Sequence, residues 1–319
     1  MIVQDILFVL IGLAGLFIGG NWLVKGAARL ASLIGVSPLV VGLTVVALGT
    51  SAPELLVSLS AALQGSNDLV VGNVLGSNIA NIGLVLGIAG LIFPVSVRWT
   101  LLREEILFMI GFSVLALVLA LDGSLSRMDG LVLLVGFAVF TGFVYWEARR
   151  ERSDIEPEIE EFEELEGLVE ATTPWLEVVR LLAGLALLIF GAQFMVEGAV
   201  SIARALNVSE AIIGISLVAI GTSLPEVATC VIASLRREND IVTGNVVGSN
   251  ISNLMVILGL TALVLPITVT PDLLQFEFLG MIGFALVLLP IALRQTLGRR
   301  PAIILLGAYV VFIALTFVR

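Results

Sequence analysis

The sequence predicts an all-α membrane protein of ten transmembrane helices, built as two five-helix repeats of inverted topology whose central helices are broken at the midplane. The first observation behind this prediction is composition: 59% of the residues are hydrophobic, 13% are charged, and mean hydropathy is +1.12. Soluble domains carry roughly 25% charged residues. The second observation is a series of long apolar stretches, and the third is an internal repeat.

Ten apolar stretches are each long enough to cross a bilayer, because about 20 residues of α-helix span a hydrocarbon core about 30 Å thick. Short connections separate them, with one longer exception between the fifth and the sixth. Their approximate centres are Ile11, Glu54, Asn81, Leu115, Phe137, Leu188, Glu226, Asn253, Ala285 and Val310. The alternating strands of about ten residues that form membrane β-barrels are not seen.

The two halves of the chain repeat each other. Residues 19–87, aligned without a gap to the residues 172 positions later, give 30 identities in 69 positions. A repeat of this strength indicates duplicated structural units. Because each unit holds five spans, an odd number, the second unit must enter the membrane from the opposite side.

The basic residues give the orientation, since short cytoplasmic loops carry the excess of Lys and Arg. With the N-terminus outside, thirteen basic residues fall on the inner side, and only Arg127, Arg204 and Arg319 fall on the outer side. The inner set is Lys25, Arg29, Arg98, Arg103, Arg149, Arg150, Arg152, Arg180, Arg236, Arg237, Arg294, Arg299 and Arg300. We therefore expect an integral protein of the plasma (inner) membrane with both termini outside.

An acidic segment joins the halves. Between Glu147 and Glu170 there are eleven acidic residues and three arginines, which give −8 of the net charge of −10. We interpret it as a cytoplasmic, solvated linker extended by its own repulsion; a weak cation-attracting or regulatory site is the alternative. The predicted division is a first repeat at 1–147, the linker at 148–173 and a second repeat at 174–319.

One duplicated motif places an acid inside an apolar span. Gly-Thr-Ser-Ala-Pro-Glu ends at Glu54, and Gly-Thr-Ser-Leu-Pro-Glu ends at Glu226. A carboxylate at mid-membrane costs on the order of 2.5 to 3.5 kcal/mol, so such a residue indicates a functional site. Pro53 and Pro225 each remove a backbone donor and should break the helix at the acid. A simple kink repaired by Ser and Thr is the structural alternative.

A second duplicated motif follows in the next span. Gly-Asn-Val-Leu-Gly-Ser-Asn-Ile-Ala-Asn ends at Asn81, and its counterpart ends at Asn253. Residues spaced i, i+4 and i+8 share one helix face, so Asn73, Ser77 and Asn81 line up. Interhelical packing is the alternative role for these amides. Together the motifs supply only oxygen ligands, which hard cations such as Ca²⁺ and Na⁺ prefer.

Other chemistries are excluded or disfavoured by composition. The chain has no histidine, so a zinc site built on imidazole and a Ser-His-Asp hydrolase are excluded. Cys230 is the only cysteine, which rules out an intrachain disulfide. An intramembrane hydrolase using Ser51 or Ser223 with Lys25 is disfavoured, because Glu197 stands at the equivalent position in the second repeat.

Both motifs, in both halves, resemble the alpha-repeats of the cation/calcium antiporter superfamily, most closely the prokaryotic sodium/calcium exchangers. The resemblance covers essentially the whole chain. It implies that Glu54 and Glu226 are the central ion ligands. It further implies ligands at Thr50, Ser51, Thr222, Ser223, Ser77, Ser249 and Asn81, with the backbone carbonyls of Ala47 and Ala219.

One candidate position departs from the pattern. Several relatives carry aspartate where this chain has Asn253, so the site has one potential negative charge fewer. Potassium co-transport is therefore disfavoured, and Asn253 joins Asn81 as a neutral candidate ligand.

The predicted function is exchange of Ca²⁺ for Na⁺ by alternating access, by a transporter and not an enzyme. A Ca²⁺/H⁺ exchanger is the alternative, and an ion channel would share the ligand chemistry. The resemblance favours sodium as the driving ion, because proton-coupled members usually carry Gly-Asn-Ala-X-Glu. We expect Ca²⁺, Na⁺ and the lipid bilayer as partners, no cofactor, no nucleic acid, and function as a monomer.

Overall fold

Helices form nearly all of the structure, a computed structural model that describes residues 2–96, 99–150, 173–206 and 219–318. In the first half the α-helices are α1 Ile2–Ile34, α2 Pro38–Val41, α3 Ala47–Thr50, α4 Ala52–Leu63, α5 Asn67–Ala80, α6 Leu86–Ile92, α7 Trp99–Ala120 and α8 Arg127–Arg150. In the second half they are α9 Pro174–Ala205, α10 Ala219–Thr222, α11 Leu224–Leu235, α12 Asn239–Ser252, α13 Leu258–Val264, α14 Phe278–Leu293 and α15 Arg299–Val318. Four π-helical turns lie at Gly42–Val46, Asn81–Val85, Asn253–Ile257 and Leu273–Glu277.

The prediction of an all-α protein with many apolar helices is confirmed. Seven described helices are long and apolar enough to cross a membrane, or eight with the pair Pro38–Thr50 and Ala52–Leu63 as one bent span. Each of the ten predicted centres lies within a helical segment. The predicted linker at 148–173 lies almost entirely outside the described residues, and its boundaries stay a prediction.

The prediction of purely α structure omitted four strands of two residues each. Val95–Ser96 (β1) pairs with Thr296–Leu297 (β4), and Ser124–Leu125 (β2) pairs with Ile267–Thr268 (β3), both antiparallel. The repeat spacing of 172 carries β1 onto β3 and β2 onto β4. Each strand therefore pairs with a strand of the other half, and the two pairs are equivalent to one another. Strands this short have no periodicity that a sequence pattern could reveal.

The two longest helices, α1 and α9, pack against each other in opposite directions. Gly12 lies against Gly191 near the start of α1, whereas Gly26 lies against Leu181 near its end. A Cβ atom at Gly19 would lie only 2.7 Å from the carbonyl oxygen of Gly184, so the backbones touch there. The helices α1 and α9 occupy equivalent positions in the two repeats. Because they pack antiparallel, these equivalent helices run in opposite directions.

Each half contains a helix that is interrupted at the acidic motif. Ser51, between α3 and α4, has φ −82° and ψ 5°, and Ser223, between α10 and α11, has φ −86° and ψ 5°. In the first half the two segments meet at an angle of 42°. Pro53 is tolerated because it lies in the first turn of α4, where its missing N–H has no helical partner to lose. The predicted breaks at the acids are present.

We predict that Gly19→Ala destabilises the protein by about 2 kcal/mol, because the new methyl group would separate two touching backbones. Thermal unfolding in detergent would measure this as a lower midpoint. Gly111→Ala in α7 is the matched control, since, apart from the backbone of its own helix, no described atom lies within 4 Å of its added Cβ. Equal midpoints for Gly19→Ala and the unaltered protein would contradict the described packing.

Candidate cation site

The two motif glutamates lie in the first turns of α4 and α11. Glu54 and Glu226 are each 1% exposed, although each is an ionisable group. The N-terminus of a helix carries the positive end of its dipole, which favours a negative side chain there. The break before each helix therefore serves to place a helix N-terminus, and with it a carboxylate, inside the protein.

Hydrogen bonds across the repeats bring these carboxylates to one site. Ser51 Oγ donates to Glu226 Oε1 at 3.2 Å, and Ser223 Oγ donates to Glu54 Oε1 at 3.4 Å. Each serine follows the repeat spacing, so the two bonds are equivalent. The serine at each helix break thus fixes the acid of the other half, and the four predicted residues form one cluster.

The other oxygen of each carboxylate has a different environment. Glu54 Oε2 and Glu226 Oε2 are buried and, within the described residues, have no hydrogen-bond partner. No Lys or Arg of that part of the chain lies within salt-bridge distance of them. A buried charge without a partner is strongly unfavourable, so these oxygens are suited to a ligand that brings positive charge.

Four asparagines form a second connection between the halves. Asn81 Nδ2 donates to Asn250 Oδ1 at 3.1 Å, and Asn253 Nδ2 donates to Asn78 Oδ1 at 3.0 Å. Asn78 Nδ2 in turn donates to the carbonyl oxygen of Asn250 at 3.2 Å. A carbonyl oxygen only accepts, so this contact fixes which end of the Asn78 amide is nitrogen.

The amide orientation that follows leaves oxygen atoms available. With their nitrogens engaged, Asn81 and Asn253 each have a buried Oδ1 without a hydrogen-bond partner in the described structure. Ser249 Oγ is likewise buried without a partner, and Ser77 is 6% exposed. We therefore predict that Asn78 and Asn250 are positioning residues, because each accepts a hydrogen bond from the nitrogen of a carboxamide whose oxygen has no partner in the described structure.

The remaining predicted ligands lie at the ends of α3 and α10. Thr50 Oγ1 donates to Asn245 Oδ1 at 3.1 Å and lies 3.3 Å from the carbonyl oxygen of Ala47. Thr222 ends α10, and Ala219 begins it. These threonines and carbonyls belong to the segments that precede the breaks, as predicted. Their role as ligands stays a prediction.

The cluster offers oxygen atoms almost exclusively. Among the described residues, no group of three or more His, Cys, Asp and Glu side chains is placed to hold a metal. Two carboxylates must therefore be supplemented by neutral hydroxyl, amide and carbonyl oxygens. Such mixed oxygen sites suit Ca²⁺, which takes 6 to 8 oxygen ligands, and also Na⁺ as a hard cation.

Sequence reasoning missed two methionines that support the asparagines. Asn78 Nδ2 lies 3.6 Å from Met281 Sδ, and Asn250 Nδ2 lies 3.5 Å from Met109 Sδ. Met109 and Met281 are themselves 172 residues apart. Extending the repeat alignment beyond residue 87 would have identified this pair.

Comparison with known proteins gives one family. A model described as sodium/calcium exchanger protein matches residues 5–146 and again residues 176–318. The chain is 38% identical to the putative antiporter CaxA of Alkalimonas amylolytica, covering 98% of each chain. It is 33% identical to the sodium/calcium exchanger MaX1 of Methanosarcina acetivorans, covering 99% of each chain.

A solved structure has the same fold over its full length. The structure of the sodium-calcium exchanger NCX_Mj soaked without Na⁺ and Ca²⁺ superposes with a TM-score of 0.85 at 32% identity. The match covers 100% of both chains. The likeness thus extends over the whole chain.

We predict that Asn78→Ala weakens Ca²⁺ binding about tenfold, as loss of a residue that orients a ligand typically does. The substitution removes the acceptor of Asn253 Nδ2 and lets that carboxamide rotate. Equilibrium binding of radiolabelled Ca²⁺ to the purified protein would measure the effect.

Gln193→Ala is the control for Asn78→Ala. Like Asn78→Ala, it removes a hydrogen-bonded amide. Gln193 donates to Glu197, and both side chains are exposed at the surface of α9. Unaltered Ca²⁺ affinity in folded Asn78→Ala would refute the positioning role.

Proposed function

The chain belongs to the sodium/calcium exchanger family, and on that premise we propose that it exchanges Ca²⁺ for Na⁺ at a single central site built on Glu54 and Glu226. Membership of a transporter family confirms the prediction that the protein is not an enzyme. The observation that carries the proposed site is a set of buried oxygens on the two duplicated motifs that have no hydrogen-bond partner within the described residues. It comprises Glu54 Oε2, Glu226 Oε2, Asn81 Oδ1, Asn253 Oδ1 and Ser249 Oγ.

The charge of this site suits the proposed cargo. Glu54 and Glu226, when ionised, carry two negative charges that one Ca²⁺ neutralises. Sodium ions bound to the same oxygens neutralise them equally, so the two cargoes compete. Asn253 is neutral, which keeps the charge at −2 and argues against a further bound cation such as K⁺.

Coupling follows from the energetic cost of the unloaded site. Two uncompensated carboxylates in a low-dielectric interior are strongly unfavourable. A conformational change that moves the site between the two membrane faces is therefore slow unless a cation neutralises it. This difference between loaded and empty protein makes the transport an exchange and not a leak, and it distinguishes the proposal from a channel.

We propose that access alternates between the two sides of the membrane. Broken helices at the interface of repeats with inverted topology are typical of alternating-access transporters. In the proposed arrangement ten helices cross the membrane, both termini lie outside, and the acidic segment is cytoplasmic. The protein acts as a monomer, because all proposed ligands come from one chain.

Glutamate substitution gives the first prediction for this proposal. In vesicles loaded with Na⁺ and diluted into Na⁺-free buffer, the unaltered protein should take up radiolabelled Ca²⁺. Glu54→Gln and Glu226→Gln should each abolish uptake, because the remaining charge no longer balances Ca²⁺. Glu197→Gln, at an exposed glutamate of α9, should leave uptake unchanged. Persistent uptake by folded Glu54→Gln would refute the proposed site.

The driving ion gives the second prediction. Sodium-loaded vesicles at equal pH on both sides should accumulate Ca²⁺, whereas a pH gradient without Na⁺ should not drive accumulation. The opposite pattern would assign the protein to proton-coupled exchange. Flux that needs no counter-ion on the opposite side would indicate a channel.

A further inference from the structure

We propose that the ends of α1 and α9 on the predicted cytoplasmic side form a binding site for the phosphate of an anionic phospholipid headgroup. A cavity of about 320 Å³ lies there, lined by Asn21, Trp22, Lys25, Arg29 and Arg180. We call it the basic cavity. A space of this size holds several water molecules and admits a phosphate group.

Two of the arginines are held in place by a buried acid. Glu177 is fully buried, and its carboxylate contacts Arg180 at 2.6 Å and Arg29 at 3.6 Å. Arg29 comes from α1, whereas Glu177 and Arg180 come from α9. The acid therefore fixes guanidinium groups from two helices against the cavity, and a planar guanidinium is well suited to a phosphate.

Further positive charge adjoins the cavity. Lys25 is half-buried in its wall, and Arg236, which directly follows α11, donates from Nε to Asn21 Oδ1 at 2.9 Å. Basic pockets between transmembrane helices on the cytoplasmic side are typical sites for anionic lipid headgroups. The positive charge of the basic cavity thus favours an anion. The position of the cavity between helices on the predicted cytoplasmic side favours an anionic lipid of the membrane.

Tryptophans indicate that the cavity lies at headgroup depth. Trp22 in its wall is 45% exposed, and Trp175 at the start of α9 is 72% exposed. Exposed tryptophans concentrate at the boundary between lipid and water. The apolar faces of α1 and α9 continue from this level into the membrane, so lipid chains can extend along them while the headgroup occupies the cavity.

The repeat symmetry does not account for the basic cavity. Lys25 aligns with Glu197, Asn21 aligns with Gln193, and Gln193 Nε2 donates to Glu197 Oε1 at 3.1 Å. The equivalent position at the other end of the helix pair is therefore acidic. A feature present at one end only indicates a role confined to one leaflet.

The chain offers a direct probe, because Lys25 is its only lysine. The full protein in nanodiscs would be acylated with an amine reagent, and the modified Lys25 peptide would be quantified by mass spectrometry. We expect phosphatidylglycerol to slow acylation severalfold relative to phosphatidylcholine, while inorganic phosphate in phosphatidylcholine discs does not. Equal rates in both lipids would overturn the proposal, and protection by phosphate alone would assign the cavity to a soluble anion.

Variants separate the cavity from general surface charge. Lys25→Gln should bind phosphatidylglycerol about fivefold more weakly in native mass spectrometry, since one basic residue near a membrane contributes about that factor. Lys25→Arg should bind normally. Arg294→Gln, an exposed residue predicted on the same face, is the matched control. Equal binding by Lys25→Gln and Arg294→Gln would refute the site without bearing on Ca²⁺ exchange.

Lipid-independent occupation by the acidic segment between Glu147 and Glu170 is distinguishable in the same assay. It would give slow acylation of Lys25 in phosphatidylcholine that becomes fast at high ionic strength. That result would also overturn the lipid assignment.

Discussion

The structure depends on holding two carboxylates inside an apolar protein. Glu54 and Glu226 are buried without a cationic side chain at salt-bridge distance among the described residues. Their burial is tolerable only where helix N-termini, hydroxyl donors and neutral oxygens replace water. The helix breaks at Ser51 and Ser223 supply all three, because a break exposes a helix start, places a serine beside it and frees backbone groups. The surrounding fold brings these two helix breaks together.

The repeat makes this arrangement self-consistent. Two kinds of hydrogen bond at the site occur in both directions. Ser51 to Glu226 matches Ser223 to Glu54, and Asn81 to Asn250 matches Asn253 to Asn78. The two repeats also keep an equivalent hydrogen bond where their residues differ. Asn73 donates to Ser58 Oγ in the first repeat, and Asn245 donates to Cys230 Sγ at the equivalent position of the second. Cys230 thus takes the place of Ser58 as the hydrogen-bond acceptor in the second repeat.

Much of the site could be predicted from sequence, because duplication and isolated acids in apolar segments are visible in a single chain. Pro53 and Pro225 indicated the breaks, and the spacing of Asn73, Ser77 and Asn81 indicated a shared face. Contacts between the halves could not be predicted, since spacing along one helix does not say which helix lies opposite. Three features depend on how the two halves pack together. They are the hydrogen bond between Asn253 and Asn78, the methionine contacts of the asparagines, and the pairing of strands from different halves.

The proposed ligands are related by the repeat, whereas the charged residues at the helix ends are not. The two features therefore bear differently on the direction of transport. In the proposed arrangement of inverted repeats, the two equivalent carboxylates would offer similar ligands to an ion arriving from either face, so the proposed site alone has little basis for direction. Lys25 at one end of the α1 and α9 pair and Glu197 at the equivalent position of the other end differ in charge. Any intrinsic difference between the two faces must therefore arise where the repeat sequences diverge, and charged residues at the membrane boundary are the clearest such divergence.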